Sequence, residues 1–309
     1  MFYAIETKDL VKRYGSRRAL DGLTLSVPRF AVMGLVGANG AGKTTWMMSV
    51  AGFLHLASGS INLLNEGPFN PALHCGRVTI MPQDSDLPLE SRPQELLTHY
   101  GLLQGLTRQA AAASAASMLS EVHLGDRLDS PIRTLSHGMR KRVMIAQCFI
   151  GHPEVVMLDE PLSRLDPREV AHMRTFITRR CGKQTIIISS HNLHDIEVMC
   201  DHIAFIEKGR TARVATLEEV VGKDSTLVYR VTSEPADYAA LAAAIPDANL
   251  SFDAEASDLV CRYDPRRFTA EEINRSLLPA LLAQCGVSTV TRGGNLENAY
   301  LKNTSALIN

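Results

Sequence analysis

Along the first two-thirds of the chain, short apolar runs alternate with helical stripes. Arg29 to Gly37 is almost unbroken apolar sequence ending in glycines. That is the pattern of a strand buried on both faces and feeding a loop. Met47, Met48, Ala51 and Leu54 follow at helical spacing. Val78 to Met81 predicts a short strand, stopped by Pro82. From Arg92 to Ile150 the pattern is helical, with Leu96, Leu97, Tyr100 and Leu103 on one face. The alanine-rich stretch from Gln109 to Ser120 predicts a plain helix, because alanine has the best helix propensity and no glycine interrupts it. Val155 to Leu158 and Thr185 to Ser189 are continuous apolar runs of the kind found in central parallel strands, each flanked by helical segments. The expected fold is α/β with a mostly parallel core sheet and a helical lobe inserted near 84–150.

The last part of the chain has another rhythm. It reads as strand 226–232, helix 236–245, strands 248–252 and 259–263, helix 269–285 and strand 287–291. Thr269 and Glu272 are spaced as a capping box at the start of the second helix. The order β-α-β-β-α-β is the ferredoxin-like plan of a small α+β domain. Charge shifts at the same place. Residues 1–215 carry 24 Lys and Arg against 20 Asp and Glu, whereas residues 216–309 carry 8 against 13. Domains are expected at 1–221 and 222–309, in keeping with 309 residues and roughly 150 residues per domain.

Composition narrows the function. The chain is 45% hydrophobic and 21% charged with a formal net charge of −1. This is an ordinary globular balance, and it argues against a protein that coats nucleic acid, which needs a clustered basic excess. The six cysteines are scattered, with no CxxC and no zinc-like spacing, and read as reduced thiols of the cytosol. No apolar run approaches the 18 or so residues that span a bilayer.

Gly37-Ala38-Asn39-Gly40-Ala41-Gly42-Lys43-Thr44 fits the phosphate-loop pattern G-x-x-x-x-G-K-[ST]. Its glycines let successive N–H groups turn inward around phosphate oxygens, and the following helix adds its N-terminal partial positive charge. Lys43 is expected at the β- and γ-phosphates, the Thr44 hydroxyl on Mg²⁺ and Thr45 at the α-phosphate. Such a loop needs an acidic partner at a strand end, and Asp159-Glu160 supplies it. By itself a strand-end Asp-Glu is as easily a solvated cap; beside the loop, Asp159 reads as a Mg²⁺ holder and Glu160 as the group that polarises an attacking water. Leu135-Ser136-His137-Gly138-Met139 opens another helix with an anion-binding turn, which one phosphate chain does not need unless it serves a neighbour's nucleotide. Arg140, Lys141 and Arg142 read as a cluster that includes solvent-facing residues.

At this point the sequence resembles the ATP-binding subunits of ABC transporters, in particular the bacterial ABC-2-type exporter branch. The resemblance covers about residues 1–215. It makes Tyr14 the adenine-stacking aromatic, Gln83 the Q-loop glutamine and further Mg²⁺ contact, Ser136 to Met139 the signature, Leu165-Asp166 the end of the D-loop and His191 the switch histidine. Two positions depart from the family pattern: His137 and Met139 replace Gly and Gln of Leu-Ser-Gly-Gly-Gln, and Arg164 stands where a small residue is common in the D-loop. The resemblance implies an ATPase with Glu160, His191 and Lys43 in catalysis. It further implies a dimer with ATP sandwiched head to tail against the other copy's Ser136 and Gly138, and a separate polytopic membrane subunit. That arrangement sets the chain on the inner face of the cell membrane, with no nucleic-acid partner. The rival readings are an ABC ATPase of DNA repair or translation, and an inactive regulatory scaffold. Repair types insert long coiled coils where this chain has about 90 residues, translation types carry two cassettes, and intact Lys43, Asp159, Glu160 and His191 argue against a scaffold.

Overall fold

The computed structural model describes residues 2–221, 225–264, 267–293 and 296. The chain divides into two compact units, residues 1–215 and 216–309. Residue 222, the expected start of the second domain, and residues 297–309 at its end lie outside the described residues.

In chain order the first unit contains β1 (Tyr3–Tyr14), β2 (Arg17–Pro28), β3 (Val32–Val36), α1 (Lys43–Val50), β4 (Ser58–Leu63), α2 (Pro71–His74), β5 (Val78–Met81), α3 (Pro93–Leu103) and α4 (Arg108–Glu121). A 3-10 turn (Ile132–Thr134) leads into α5 (His137–Gln147), β6 (Val155–Asp159), α6 (Pro167–Thr178), β7 (Thr185–Ser189), α7 (Leu193–Met199), β8 (His202–Glu207) and β9 (Arg210–Thr216). The larger sheet has the order β5-β6-β7-β3-β8-β9. The pairings β5 with β6, β6 with β7, β7 with β3 and β3 with β8 are parallel. β3, β6 and β7 are buried at every position, which is why the sequence shows unbroken apolar runs there and not alternation.

The second sheet, β2-β1-β4, is antiparallel. The hydrophobic pattern does not announce it. Asp9 in β1 has φ 49°, and the β1–β2 register shifts between Thr7 and Leu10 and again between Leu10 and Val11. Each shift changes which residues face the core, so buried Ala4, Ile5, Thr7 and Leu10 do not read as period two. This sheet locks α1 in place. The Trp46 indole N–H donates to Thr7 Oγ1 (3.2 Å), and that hydroxyl donates to the Leu25 carbonyl (3.0 Å) inside the core.

Helices α3, α4 and α5 form the lobe between β5 and β6. On α4 the buried residues Ala111, Ala115, Met118 and Leu119 recur at helical spacing, so the alanines are a packing face. A Cβ at Gly101 on α3 would come within 2.8 Å of the Ala111 Cβ, a measure of how closely the two helices approach. The stripe on α3 is narrower than its sequence suggests: Leu96 and Leu97 are buried, but Leu103 is 62% exposed.

The second unit begins with α8 (Leu217–Val221) and continues as β10 (Thr226–Val231), α9 (Tyr238–Ala244), β11 (Asn249–Asp253), β12 (Asp258–Arg262), α10 (Ala270–Leu282) and β13 (Val287–Arg292). Its sheet, β11-β12-β10-β13, is antiparallel throughout, the ferredoxin-like order. Tyr229, Leu259, Ile273, Leu277 and Leu281 centre its own core. The Tyr229 hydroxyl donates to Asn274 Oδ1 (2.7 Å), and burial pushes that phenol well above the ordinary tyrosine range. The capping box is present: Thr269 Oγ1 accepts from the Glu272 N–H, and Glu272 Oε2 accepts from the Thr269 N–H.

Because each unit has its own core, a chain ending after β9 is expected to fold and to melt in one cooperative transition. Calorimetry checks this; a shortened chain that is insoluble or lacks a transition would show that the second unit is needed to complete the first.

Candidate active site

Parallel strands end on one edge of a sheet, and that edge is where an α/β fold builds its sites. Here β3 delivers the loop 37–42, β6 delivers Asp159 and Glu160, β7 delivers Ser189, Ser190 and His191, and β5 delivers Gln83. Gly42, with φ 116°, turns the loop into α1; a Cβ there would stand 2.9 Å from the Ala19 carbonyl oxygen. Lys43 is buried, and its Nζ donates to the carbonyls of Gly37 (2.6 Å) and Ala38 (3.2 Å). Burial lowers the Lys43 pKa below the ordinary lysine value, while the nearby Glu160 and Asp159 charges pull the other way. The ammonium is thus held in place by the loop's own backbone.

Asp159 is the hub of the site. Its Oδ2 accepts from Thr44 Oγ1 (2.6 Å), and its Oδ1 accepts from Ser189 Oγ. Ser189 Oγ in turn accepts from the Glu160 N–H at 3.0 Å. Glu160 has φ 51°, a left-handed backbone that costs energy for a residue with a side chain and is typical of functional positions. That turn brings Glu160 Oε2 to 2.8 Å from His191 Nδ1. The His191 side chain is 68% exposed. Helix α7 is capped by Asn192, whose side chain accepts from the His194 N–H, so His191 is not engaged as its cap.

These groups border a cavity of about 630 Å³, within the range of small-molecule sites. Of the residues expected from sequence, Tyr14, Asn39, Gly40, Gly42, Lys43, Thr44, Thr45, Gln83, Asp159, Glu160 and His191 line it. Tyr14 is half exposed where it lines the cavity. Gly37, Ala38 and Ala41 stand behind the lining; Gly37 and Ala38 act through the carbonyls that hold Lys43, and the Ala41 carbonyl accepts from the Gly209 N–H (2.8 Å).

Ser136 and Gly138 do not line the cavity. Ser136 caps α5, its hydroxyl accepting from the Met139 N–H (3.1 Å), and it is exposed. Behind it, a Cβ on Gly138 would fall 2.3 Å from Glu169 Oε2 on α6. Glu169 is fixed by Arg142 (2.9 Å), which also donates to the Val122 carbonyl (2.9 Å) at the end of α4. The expectation that the basic cluster includes solvent-facing residues is corrected: none of Arg140, Lys141 and Arg142 is exposed. Arg140 donates to the Leu135 and Arg133 carbonyls, and Lys141 is 3% exposed. Asp166 caps α6 through the N–H groups of Arg168 and Glu169.

Sequence reasoning missed three residues here. Ser189 was detectable as the polar residue that ends the apolar run of β7. Arg17 borders the cavity from β2, a strand whose pattern is obscured. Lys141 is hidden because three cations in a row look like a solvated face.

The fold and the site together define a phosphate-loop ATPase of the ATP-binding cassette class. The ABC transporter family profile matches residues 20–163. The Nod factor export ATP-binding protein I of Burkholderia orbicola is 32% identical over 97% of this chain and 96% of its own length. The protein of the same name from Cupriavidus metallidurans is 31% identical over 97% of both chains. A solved ATP-binding subunit of an ABC transporter, 27% identical, superposes with a TM-score of 0.63 over 70% of this chain and 91% of its own. The chain belongs to the ATP-binding subunits of ABC transporters, which are ATPases coupled to transport. Among its described residues, no helix is long and apolar enough to cross a membrane.

Ser189→Ala removes the hydroxyl that accepts from the buried Glu160 N–H and donates to Asp159 Oδ1, leaving the Glu160 N–H only its longer bond to the Ser189 carbonyl (3.3 Å) and Asp159 only the donor from Thr44. Weakening a buried hydrogen-bond pair in this way costs about 1–3 kcal/mol. The variant is expected to melt earlier and to lose about tenfold in ATP turnover, with nucleotide affinity changed by less than about threefold. Steady-state kinetics and equilibrium binding measure the split.

Lys141 yields a pH prediction. Burial lowers its pKa, the attraction of Asp159 and Glu160 notwithstanding, so its charged form is less stable in the folded than in the unfolded chain. Between the two values the unfolded chain binds more protons, and stability rises with pH. Lys141→Met keeps the apolar stem and removes the charge. It is expected to raise the melting temperature at pH 7, with the difference disappearing as the pH approaches the ordinary lysine value of 10.5. A variant that melts lower at pH 7 would contradict this.

Proposed function

We propose that this chain is the ATP-hydrolysing subunit of an ABC-2-type exporter. In this reading it works as a head-to-tail homodimer at the cytoplasmic face of the cell membrane, beneath a separate polytopic membrane subunit. The observation that carries the reading is the division of the phosphate-binding features. Lys43, Thr44, Asp159, Glu160 and His191 share one cavity, while Ser136 and Gly138 of the same chain stand outside it. A second copy related by a two-fold axis supplies that missing half to each cavity and builds two equivalent sites.

Within each site the residues divide the work. Tyr14 stacks on the adenine, Thr45 contacts the α-phosphate, and the N–H groups of Gly37 to Gly42 surround the phosphate oxygens. Lys43 neutralises the β- and γ-phosphates. Thr44 and Asp159 offer hard oxygen donors that already lie 2.6 Å apart, and Gln83 faces the same cavity. Such a donor set suits Mg²⁺, which when bound neutralises charge on the terminal phosphates. Glu160 accepts the proton of the attacking water in an in-line displacement at the γ-phosphate, giving ADP and phosphate. His191 holds the Glu160 carboxylate from the solvent side, at 2.8 Å. ATP binding closes the dimer and hydrolysis opens it, and the lobe of α3 to α5 passes that motion to the membrane subunit.

Residues 1–221 form the ATP-binding domain in this reading, and 222–309 an accessory domain. Full-length relatives named as Nod factor export proteins favour export as the direction. The same likeness, and the absence of a long coiled-coil insertion between Lys43 and Ser136, disfavours the repair and translation readings. An inactive scaffold has no use for the strained Glu160 or its pairing with His191.

Mixing two inactive variants tests the shared site. Lys43→Ala removes the phosphate cation. Ser136→Asp keeps a side chain able to cap α5 but sets a carboxylate against the partner's γ-phosphate. Gly138 is the wrong place for that charge, because Glu169 of its own chain already crowds it. Each homodimer has two broken sites, whereas a mixed dimer has one site with both defects and one with neither. ATPase activity is expected to return on mixing, to about the level seen when either variant is mixed with wild type. If wild type in excess rescues each variant but the two fail to rescue one another, the signature does not act across the dimer.

A further inference from the structure

Arg17 is a cation at the nucleotide cavity that neither the phosphate loop nor the acidic strand ends account for. It stands directly opposite Tyr14 across the tight β1–β2 hairpin. Directly opposed residues of an antiparallel pair present their side chains on the same face. Tyr14 and Arg17 therefore approach the cavity together, and both line it. Three other basic residues nearby are engaged: Arg18 and Arg210 both pair with Asp21 (2.6 and 2.8 Å), and Lys12 donates to the His55 carbonyl (2.7 Å). Arg17 forms no ion pair with any described residue. Its one hydrogen bond, from Nη2 to the Gly40 carbonyl, is long at 3.4 Å. A guanidinium carries five N–H donors in a fixed fork, so four remain open beside the cavity.

Where it touches the loop is informative. Lys43 Nζ is tethered to the carbonyls of Gly37 and Ala38, and the Ala41 N–H folds back onto the Ala38 carbonyl (3.0 Å). The segment 37–41 is therefore the end of the loop where the Lys43 ammonium sits, which is the β/γ end of the phosphate chain. Thr45, proposed for the α-phosphate, lies a turn into the helix. Arg17 meets Gly40, inside the 37–41 segment. Glycine suits this position because its φ is 79°, a backbone that residues with a side chain rarely adopt; Arg17 Nη2 lies 2.7 Å from where a Cβ would stand.

We infer that Arg17 is a specificity residue for the triphosphate: its guanidinium turns from the Gly40 carbonyl onto the terminal phosphate of the bound nucleotide, so that the site distinguishes ATP from ADP. Arginine suits this role because its planar fork matches phosphate oxygens bidentately. The long bond to Gly40 holds the side chain near its target and is easily exchanged for a charge-assisted one. The inference rests on reading the cavity as the ATP site.

The test uses the full chain in Mg²⁺, at concentrations where size exclusion shows a monomer. The β,γ-imido analogue of ATP, ADP and AMP each displace a ribose-labelled fluorescent ADP. Arg17→Ala and Arg17→Gln are expected to weaken the triphosphate analogue by about tenfold or more, ADP by less than about threefold, and AMP not at all. Arg17→Lys should fall between. Arg17 is exposed, so these variants lose no core packing, and unchanged melting temperatures confirm that they fold. Equal weakening of the triphosphate analogue and ADP overturns the inference, as does unchanged affinity for both. Unchanged affinities with impaired ATP-driven dimerisation at higher concentration also overturn it, and assign Arg17 to the contact between copies. Lys43→Ala in the same assay reports on the cavity itself: if it binds nucleotide as tightly as the parent, the ATP-site reading falls and the inference with it.

Discussion

Everything at the candidate site hangs from the Asp159 carboxylate and the register that presents it. In the parallel sheet β7 lies between β6 and β3. Ser189 is paired with Asp159 on one side and with Leu35 on the other. The end of β7 is thus level with both the acidic strand end and the start of the phosphate loop. One carboxylate oxygen reaches forward to Thr44 on α1 and the other sideways to Ser189, whose hydroxyl fixes the Glu160 backbone. A slip of one residue in any of these strands would turn the side chains to the opposite face of the sheet.

The site is charged before any nucleotide arrives. Lys43 and Arg17 line it together with Asp159 and Glu160. Lys141 lies buried in α5, within electrostatic reach of both acids. Each cation is held differently: Lys43 by backbone carbonyls, Arg17 loosely at the mouth, Lys141 by enclosure. Helix α5 connects this buried charge to the exposed signature turn at its own N-terminus. Arg142 and Glu169 then tie α5 to α4 and α6.

The legible parts of this chain are those where local pattern and tertiary role coincide. The central strands stood out because full burial leaves no polar position to blur them, and the alanine-rich helix because alanine favours helix and no glycine interrupts it. The phosphate loop and the strand-end acids stood out because their chemistry fixes both residue type and spacing. The sheet β2-β1-β4 did not, since its register shifts break the period on which pattern reading depends. Lys141 was misread for a related reason. A helix carries consecutive residues around its axis, so three cations in a row cannot all share one environment, and only packing tells which of them turns inward.

The sequence by itself determined the set of motifs: a loop of the phosphate-binding pattern, an acidic strand end, a histidine after a buried strand, and a Ser-x-Gly turn that opens a helix. It also determined the βαββαβ order of the second unit and the capping box that starts its last helix. Only the tertiary structure decided which of these groups meet. Strand order is a property of the folded sheet and not of chain order, and it places β7 between β6 and β3, so that Ser189 joins Asp159 and Glu160. The left-handed turn at Glu160 aims its carboxylate at His191. The exclusion of Ser136 from the cavity and the approach of Arg17 to Gly40 likewise depend on distances between segments far apart in the chain, and a linear pattern carries no measure of such distances.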